Sequence, residues 1–209
     1  NEKSTWIEGI LINDWKDLDS YPWPDSSDPE WFSDLDKFIK TWGETHPVVV
    51  MFPSVFHSAD TFRGYDKFFL DVYDEPEKSA TMLDKITQTL EVMVDNICKR
   101  PIDLLIIGDD ISTQSGLMAS PAFLDQYVHK YNKRILDVAK KRGKKVFFHT
   151  EGVLPDVLTN KIIEMGFDGM HPMQYSCNNM HEWAEKYKNK LVTYGWLDNI
   201  HICSEGNIS

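Results

Sequence analysis

The chain has 209 residues, of which 42% are hydrophobic and 26% charged, an ordinary globular mix long enough for a sizeable core. Its formal net charge of −11 argues against a phosphate-backbone binder, because nucleic-acid affinity rests on clustered Lys and Arg; the longest basic run, at 140–145, reads as a solvated turn between a helix and a strand. No apolar run approaches the ~20 residues that span a bilayer, and Cys98, Cys177 and Cys203 show neither metal-knuckle nor disulfide spacing, so a reducing, cytoplasmic setting is expected.

Residues 15–29 mix Asp, Pro, Ser and Trp without helical or strand period and read as an extended lead-in. Pro29 then opens a helix that Asp28 can cap, with Trp31, Leu35, Phe38 and Ile39 on one face. A strand at 48–52 stops at Pro53. A helical tract at 62–73 precedes a long amphipathic helix at 79–98, marked by Met82, Leu83, Ile86, Leu90, Met93, Val94 and Ile97. A strand at 104–107 and a helix at 121–142 follow. Three further strands, at 146–149, 169–171 and 191–194, are separated by helices at 155–165 and 180–188.

Strand and helix in unbroken alternation mean parallel strands with crossover helices, the α/β class. The first strand lacks a Gly-rich phosphate loop, and polar residues close several strands rather than one crevice, which favours a (β/α)8 TIM-type barrel over a doubly wound sheet. Five strands cannot close an eight-stranded barrel. Residues 1–209 are therefore expected to form one partial barrel domain lacking N- and C-terminal strands, with a lead-in and first helix over 1–45 and β/α units over 46–209. Both ends of the chain look cut from a longer one.

The richest polar stretch, Gly108-Asp109-Asp110-Ile111-Ser112-Thr113-Gln114, directly follows the apolar strand 104–107, where parallel α/β proteins place active sites. Asp109 and Asp110 are adjacent, so on an extended backbone they face opposite ways. One is expected to face the site as a general acid or as a partner for a cationic centre, the other to order a turn or helix. His149 and Glu151, two residues apart at the next strand end, together with His171 at the one after, make a three-ligand set that suits zinc; a hydrogen-bonded polar cluster without metal is the alternative. Gln174 and Asp198 repeat the strand-end polar theme. His46, His57, His129, His181 and His201 have no partners at metal or triad spacing and read as surface or core residues.

Asp109-Asp110 with Thr113-Gln114, Gly116 and Ser120-Pro121 resembles the uroporphyrinogen decarboxylase superfamily, which includes corrinoid-linked methyltransferases. Further matching segments are Tyr21-Pro22-Trp23-Pro24-Asp25, Arg63-Gly64-Tyr65, Glu75-Pro76-Glu77, His149-Thr150-Glu151-Gly152, Gly166-Phe167-Asp168, His171-Pro172-Met173-Gln174 and Tyr194-Gly195-Trp196-Leu197-Asp198. The resemblance covers nearly the whole chain and implies a (β/α)8 barrel. In the methyltransferase branch a His-x-Cys pair and a later Cys bind zinc; His149 matches the His, while Glu151 stands at the Cys position. The resemblance thus implies metal-assisted methyl transfer between a small methylated substrate and a corrinoid protein or thiol. Asp109 and Asp110 would be catalytic, Thr113, Gln114, Gln174 and Asp198 would bind substrate, and His149, Glu151 and His171 would hold zinc. Uroporphyrinogen decarboxylation in porphyrin biosynthesis, and an inactive fragment or binding module, are the alternatives. The expected partners are a small-molecule substrate, a corrinoid-carrying protein and a second copy in a homodimer, with neither nucleic acid nor membrane among them.

Overall fold

A computed structural model describes residues 10–195. Its centre is a five-stranded parallel sheet of β1 (Val49–Pro53), β2 (Leu104–Gly108), β5 (Lys145–His149), β6 (Gly169–Met173) and β7 (Val192–Gly195), hydrogen-bonded in that order. Strands follow one another in space as they do in sequence. A doubly wound sheet reverses its strand order at a switch point, and this sheet has no such reversal. The chain is therefore an arc of a (β/α)8 barrel. A separate hairpin, β3 (Ser112–Thr113) with β4 (Gly116–Leu117), interrupts the segment after β2; its two-residue turn was not anticipated from sequence.

The sheet's two faces differ in burial because strand side chains alternate. Phe52, Leu105, Ile107, Val146, Phe148 and Met170 are buried on one face. Against this face pack α3 (Val55–Arg63), α4 (Tyr65–Asp74), α5 (Pro76–Cys98), α7 (Lys130–Lys141) and α8 (Asp156–Met165), with Met82, Leu83, Ile86, Ile135, Leu136 and Ile162 closing one continuous core. At ~25 cal/mol per Å² of apolar surface, this layer is the main driving force for the fold. On the other face the rim strands carry open apolar side chains, Met51 at 57% and Val192 at 58% exposure. That is the barrel interior. Gly169 lies beneath the Phe147 ring there, since a Cβ would stand 2.6 Å from the ring's Cζ.

Besides the β3–β4 hairpin, the elements differ from expectation in four places. The lead-in is not extended: Trp15–Ser20 form α1, closed by a capping box of Asp14 and Asp17. Trp23 stacks on Phe62 at 5.1 Å, so the lead-in is docked on α3. The helix expected from Pro29 is a 3₁₀ turn (Pro29–Phe32) capped by Asp28, followed by α2 (Ser33–Trp42). Its apolar face is only half used: Leu35 and Ile39 touch the core, but Trp31 and Phe38 are exposed. The tract at 62–73 is two helices broken at Gly64, whose φ of +74° no helix accommodates. The segment at 121–142 comprises α6 (Pro121–Leu124), a π-turn (Asp125–His129) and α7. The final helix, α9 (Met180–Lys186), matches its expectation in place.

The basic run at 140–145 is more than a solvated turn. Lys140 pairs with Asp168 and Arg142 with Asp95, and Lys144 Nζ donates to the carbonyls of Arg100 and Ile102, tying the helix layer to the strands' N-terminal ends. No helix among the described residues is long and apolar enough to cross a membrane.

Candidate active site

One row of residues crosses four strands in register, at the C-terminal ends of the first three and mid-strand in β6: Pro53, Gly108, His149 and His171. Parallel pairing puts these ends on one rim, and small residues at two of the four positions leave room above them. A cavity of about 240 Å³ opens there, lined by Met51, Pro53, His57, Gly108, Asp110 and His149. Backbone bonds carry the ladder one step past the strands, with Asp109 N donating to His149 O at 2.8 Å and Thr150 N to His171 O at 3.0 Å.

The two adjacent aspartates part as an extended backbone requires. Asp110 faces the cavity; its Oδ1 stands 3.5 Å from His149 Nε2 and accepts from Glu151 N at 3.2 Å. Asp109 turns under the rim and is 1% exposed. Its Oδ2 accepts from Asn132 Nδ2 at 2.7 Å, and burial pushes its carboxyl up to about 7 against the pull of Ser54, Asn132 and the His57 amide. Asp109 is thus the helix-ordering member of the pair, because its side chain points into the helix layer and not into the cavity. The two carboxylates therefore do not share the cavity.

His149 Nδ1 and His171 Nδ1 lie 2.8 Å apart in a mutual hydrogen bond, so one ring donates and the other accepts. With the Nε2 proton of His149 toward Asp110, its Nδ1 accepts from His171, which leaves the Nε2 of His171 as a free lone pair; this tautomer is assigned from the network. Burial lowers both imidazoles, His149 despite Asp110 and Glu151, and His171 to about 4 with His149 adding to the effect. Tyr194 stacks on His171 at 4.3 Å between centroids, and desolvation raises its hydroxyl. The pair is therefore uncharged at neutral pH. It can relay or hold a proton without adding positive charge to the mouth.

A zinc centre built from His149, Glu151 and His171 does not fit this arrangement. His149 turns Nε2 toward Asp110 and shares Nδ1 with His171, so the two rings do not aim their free nitrogens at one point, and Glu151 is exposed and gives its amide to Asp110. Among the described residues no group of three or more His, Cys, Asp or Glu side chains could hold a metal ion.

The remaining expected residues serve the surrounding loops. Thr113 Oγ1 bonds Ser115 and the Gly116 carbonyl within the hairpin, and Gln114 sits exposed at its tip. Gln174 Oε1 accepts from Gly152 N at 2.7 Å, joining the β6 end to the segment after His149. Asp198 lies outside the described residues. Sequence reading missed Ser54, His57 and Asn132. The first two follow β1 closely, so the strand-end rule applied to that strand would have found them; Asn132, inside a helical run, gives no local signal.

The family profile described as uroporphyrinogen decarboxylase (URO-D) matches residues 11–207. No curated protein matches the chain. Among solved structures it is similar to a methyltransferase from Methanosarcina mazei, with a TM-score of 0.70 and 13% identity over 85% of this chain and 52% of that one. At that identity the likeness shows the fold, and the chain spans about half of the methyltransferase's length. A profile running from the lead-in past β7 takes in the whole arc and its rim, and on that footing the chain belongs to the uroporphyrinogen decarboxylase family.

Proposed function

We propose that the barrel mouth serves an enzyme that transfers a methyl group from a small neutral or cationic methylated substrate to a corrinoid carried by a partner protein, or to a thiol. The observation that carries this reading is the charge of the rim. Asp110 and Glu151 stand beside two uncharged imidazoles, and all four arginines are paired elsewhere: Arg63 with Asp71, Arg100 with Asp36, Arg134 with Glu91, and Arg142 with Asp95. A tetrapyrrole bearing several carboxylates needs a cationic cradle to offset desolvation, and an acidic rim repels it. The same rim attracts a sulfonium, an ammonium or a neutral methyl donor. For an onium donor the leaving heteroatom departs neutral as its bond to methyl breaks and the acceptor's electron pair forms the new one, so no acid is required. Asp110 would hold the cationic end, and Met51, Pro53 and Tyr194 would exclude water around it. The reading needs no metal ion held by the described side chains, since those donors do not converge.

The test is a spectroscopic assay of the purified protein with cob(I)alamin and a panel of methylated sulfonium, ammonium and ether compounds. Formation of methylcob(III)alamin, reduced at least about tenfold in Asp110→Asn, is the expected result. Release of carbon dioxide from a tetrapyrrole carboxylate without any methyl transfer would establish decarboxylation instead.

A further inference from the structure

A second recess lies on the outer flank of the arc, between the π-turn Asp125–His129 and α8. Two cavities of about 320 and 180 Å³ share Asp125, His129, Lys161 and Glu164, and no residue lining either one lines the mouth cavity. The larger is walled by Leu117, Pro121, Leu124, Val157 and Leu158. A π-turn inside an otherwise α-helical run is uncommon and concentrates at functional sites.

His129 forms the floor. It is 4% exposed, and its Nδ1 is sealed from solvent without a hydrogen-bond partner among the described residues. Burial lowers the ring to about 4, so it is neutral at physiological pH and carries one proton. An unpaired lone pair is tolerated in a dry site better than an unpaired N–H. The proton therefore sits on Nε2, which makes Nε2 the ring's donor, and His129 lines both cavities. A second donor, Lys161 Nζ, stands 3.2 Å from Asp125 and 3.5 Å from Glu164. Both acids are more than half exposed and can turn to water. Lys130 and Lys133 line the smaller cavity; Lys133 pairs with Asp137, whereas Lys130 meets no carboxylate within ion-pair distance among the described residues.

We propose that this cleft is a binding site for a small carboxylate with a compact apolar body, its carboxylate on Lys161 and His129 and its body against Leu124, Val157 and Leu158. A recess of this volume with an apolar wall on one side and His129 and Lys161 among its polar lining has the usual anatomy of such a site. Asp125 and Glu164 also line the cleft, so a carboxylate ligand takes their place on Lys161, which their exposure to water permits. The proposal is independent of the reaction at the mouth.

Calorimetric titration with benzoate, and with benzamide as its uncharged counterpart, tests it. Benzoate is expected to bind saturably and at least about tenfold more tightly than benzamide, the weight of one charge-assisted hydrogen bond. Lys161→Met should weaken benzoate about tenfold and leave benzamide unchanged. Val157→Trp, placed at a position 49% exposed so that folding is spared, should fill the recess and remove both. Thermal melts confirm that each variant folds. Absence of saturable benzoate binding, equal affinity for benzamide, or benzoate affinity unaltered in both variants would overturn the proposal.

Discussion

Asn132 Nδ2 donates to Asp109 Oδ2 at 2.7 Å while Asn132 Oδ1 accepts from Val55 N at 3.1 Å, so one buried amide joins the segments after β1 and β2 to the first turn of α7. The carboxyl it holds is raised to about 7 by burial. Below about pH 4 this group is protonated in folded and unfolded chains alike. Between there and about pH 7 the unfolded chain loses the proton and the folded chain retains it, so Asp109 makes stability fall as pH rises through that window and level off above it. Asp109→Asn should flatten this limb and raise stability at pH 8 relative to pH 4, by an amount on the order of 1–3 kcal/mol. Urea denaturation of both proteins at the two pH values measures it; parallel pH slopes would contradict the assignment.

His129 works in the opposite direction. Its ring is lowered to about 4, so as pH falls from about 6.5 toward 4 the unfolded chain takes up a proton that the folded chain refuses, and stability declines. His171, lowered to about 4 as well, adds to the same limb. His129→Leu should remove part of the acid limb and leave the share of His171 in place. Melting temperatures from pH 4 to 7 for wild type and variant check this, the expected difference growing steadily toward acid.

What the sequence made legible, and what it concealed, follows from the range of the interactions involved. The long helix at 76–98 was readable because Met82, Leu83, Ile86, Leu90 and Val94 repeat the helical period themselves. The barrel arc followed from the alternation of such elements, and the rim from polar residues that close consecutive strands. The roles of Asp109 and Asp110 were legible only as a pair facing opposite ways; which one turned inward depended on Asn132, 23 residues away in sequence. The His149–His171 contact is set by the β5–β6 register, a long-range pairing that neither residue's neighbours encode. Short elements escaped for a related reason: α1 has six residues and only Leu18 buried, too little for any period to register.

Arg63 is the anchor of the lead-in. Its guanidinium is buried, donates to Asp71 at 2.7 Å and to the carbonyls of Ile12 and Asn13 at 2.8 and 3.0 Å, and lies over the Trp15 ring at 4.4 Å. Removing it strands a buried carboxylate and two carbonyls together. Arg63→Ala should cost about 3–5 kcal/mol, and Arg63→Lys somewhat less because a point charge replaces the planar fork. Equilibrium denaturation reports both, and limited proteolysis should show early cleavage before residue 20 in the alanine variant.

Gly152 sets the shape of the rim beside Glu151. Its φ is +85°, its amide donates to Gln174 Oε1, its carbonyl accepts from Asn178 Nδ2, and a Cβ would stand 2.4 Å from the Thr113 carbonyl oxygen. That neighbour is backbone of the β3–β4 hairpin, so it cannot swing aside as a side chain would. Gly152→Ala should displace the hairpin against the segment that carries Glu151, lowering the rate of the methyl transfer proposed for the mouth at least about tenfold as the rim groups lose their alignment. Gly143 supplies the control: its φ is +70° too, but no atom lies within 4 Å of a Cβ there. Gly143→Ala should show only the conformational penalty of about 1 kcal/mol and normal activity. The difference between the two variants, in melting temperature and in turnover, isolates the close approach from the strain. Equal effects in both would mean that the contact with Thr113 contributes nothing to holding the rim.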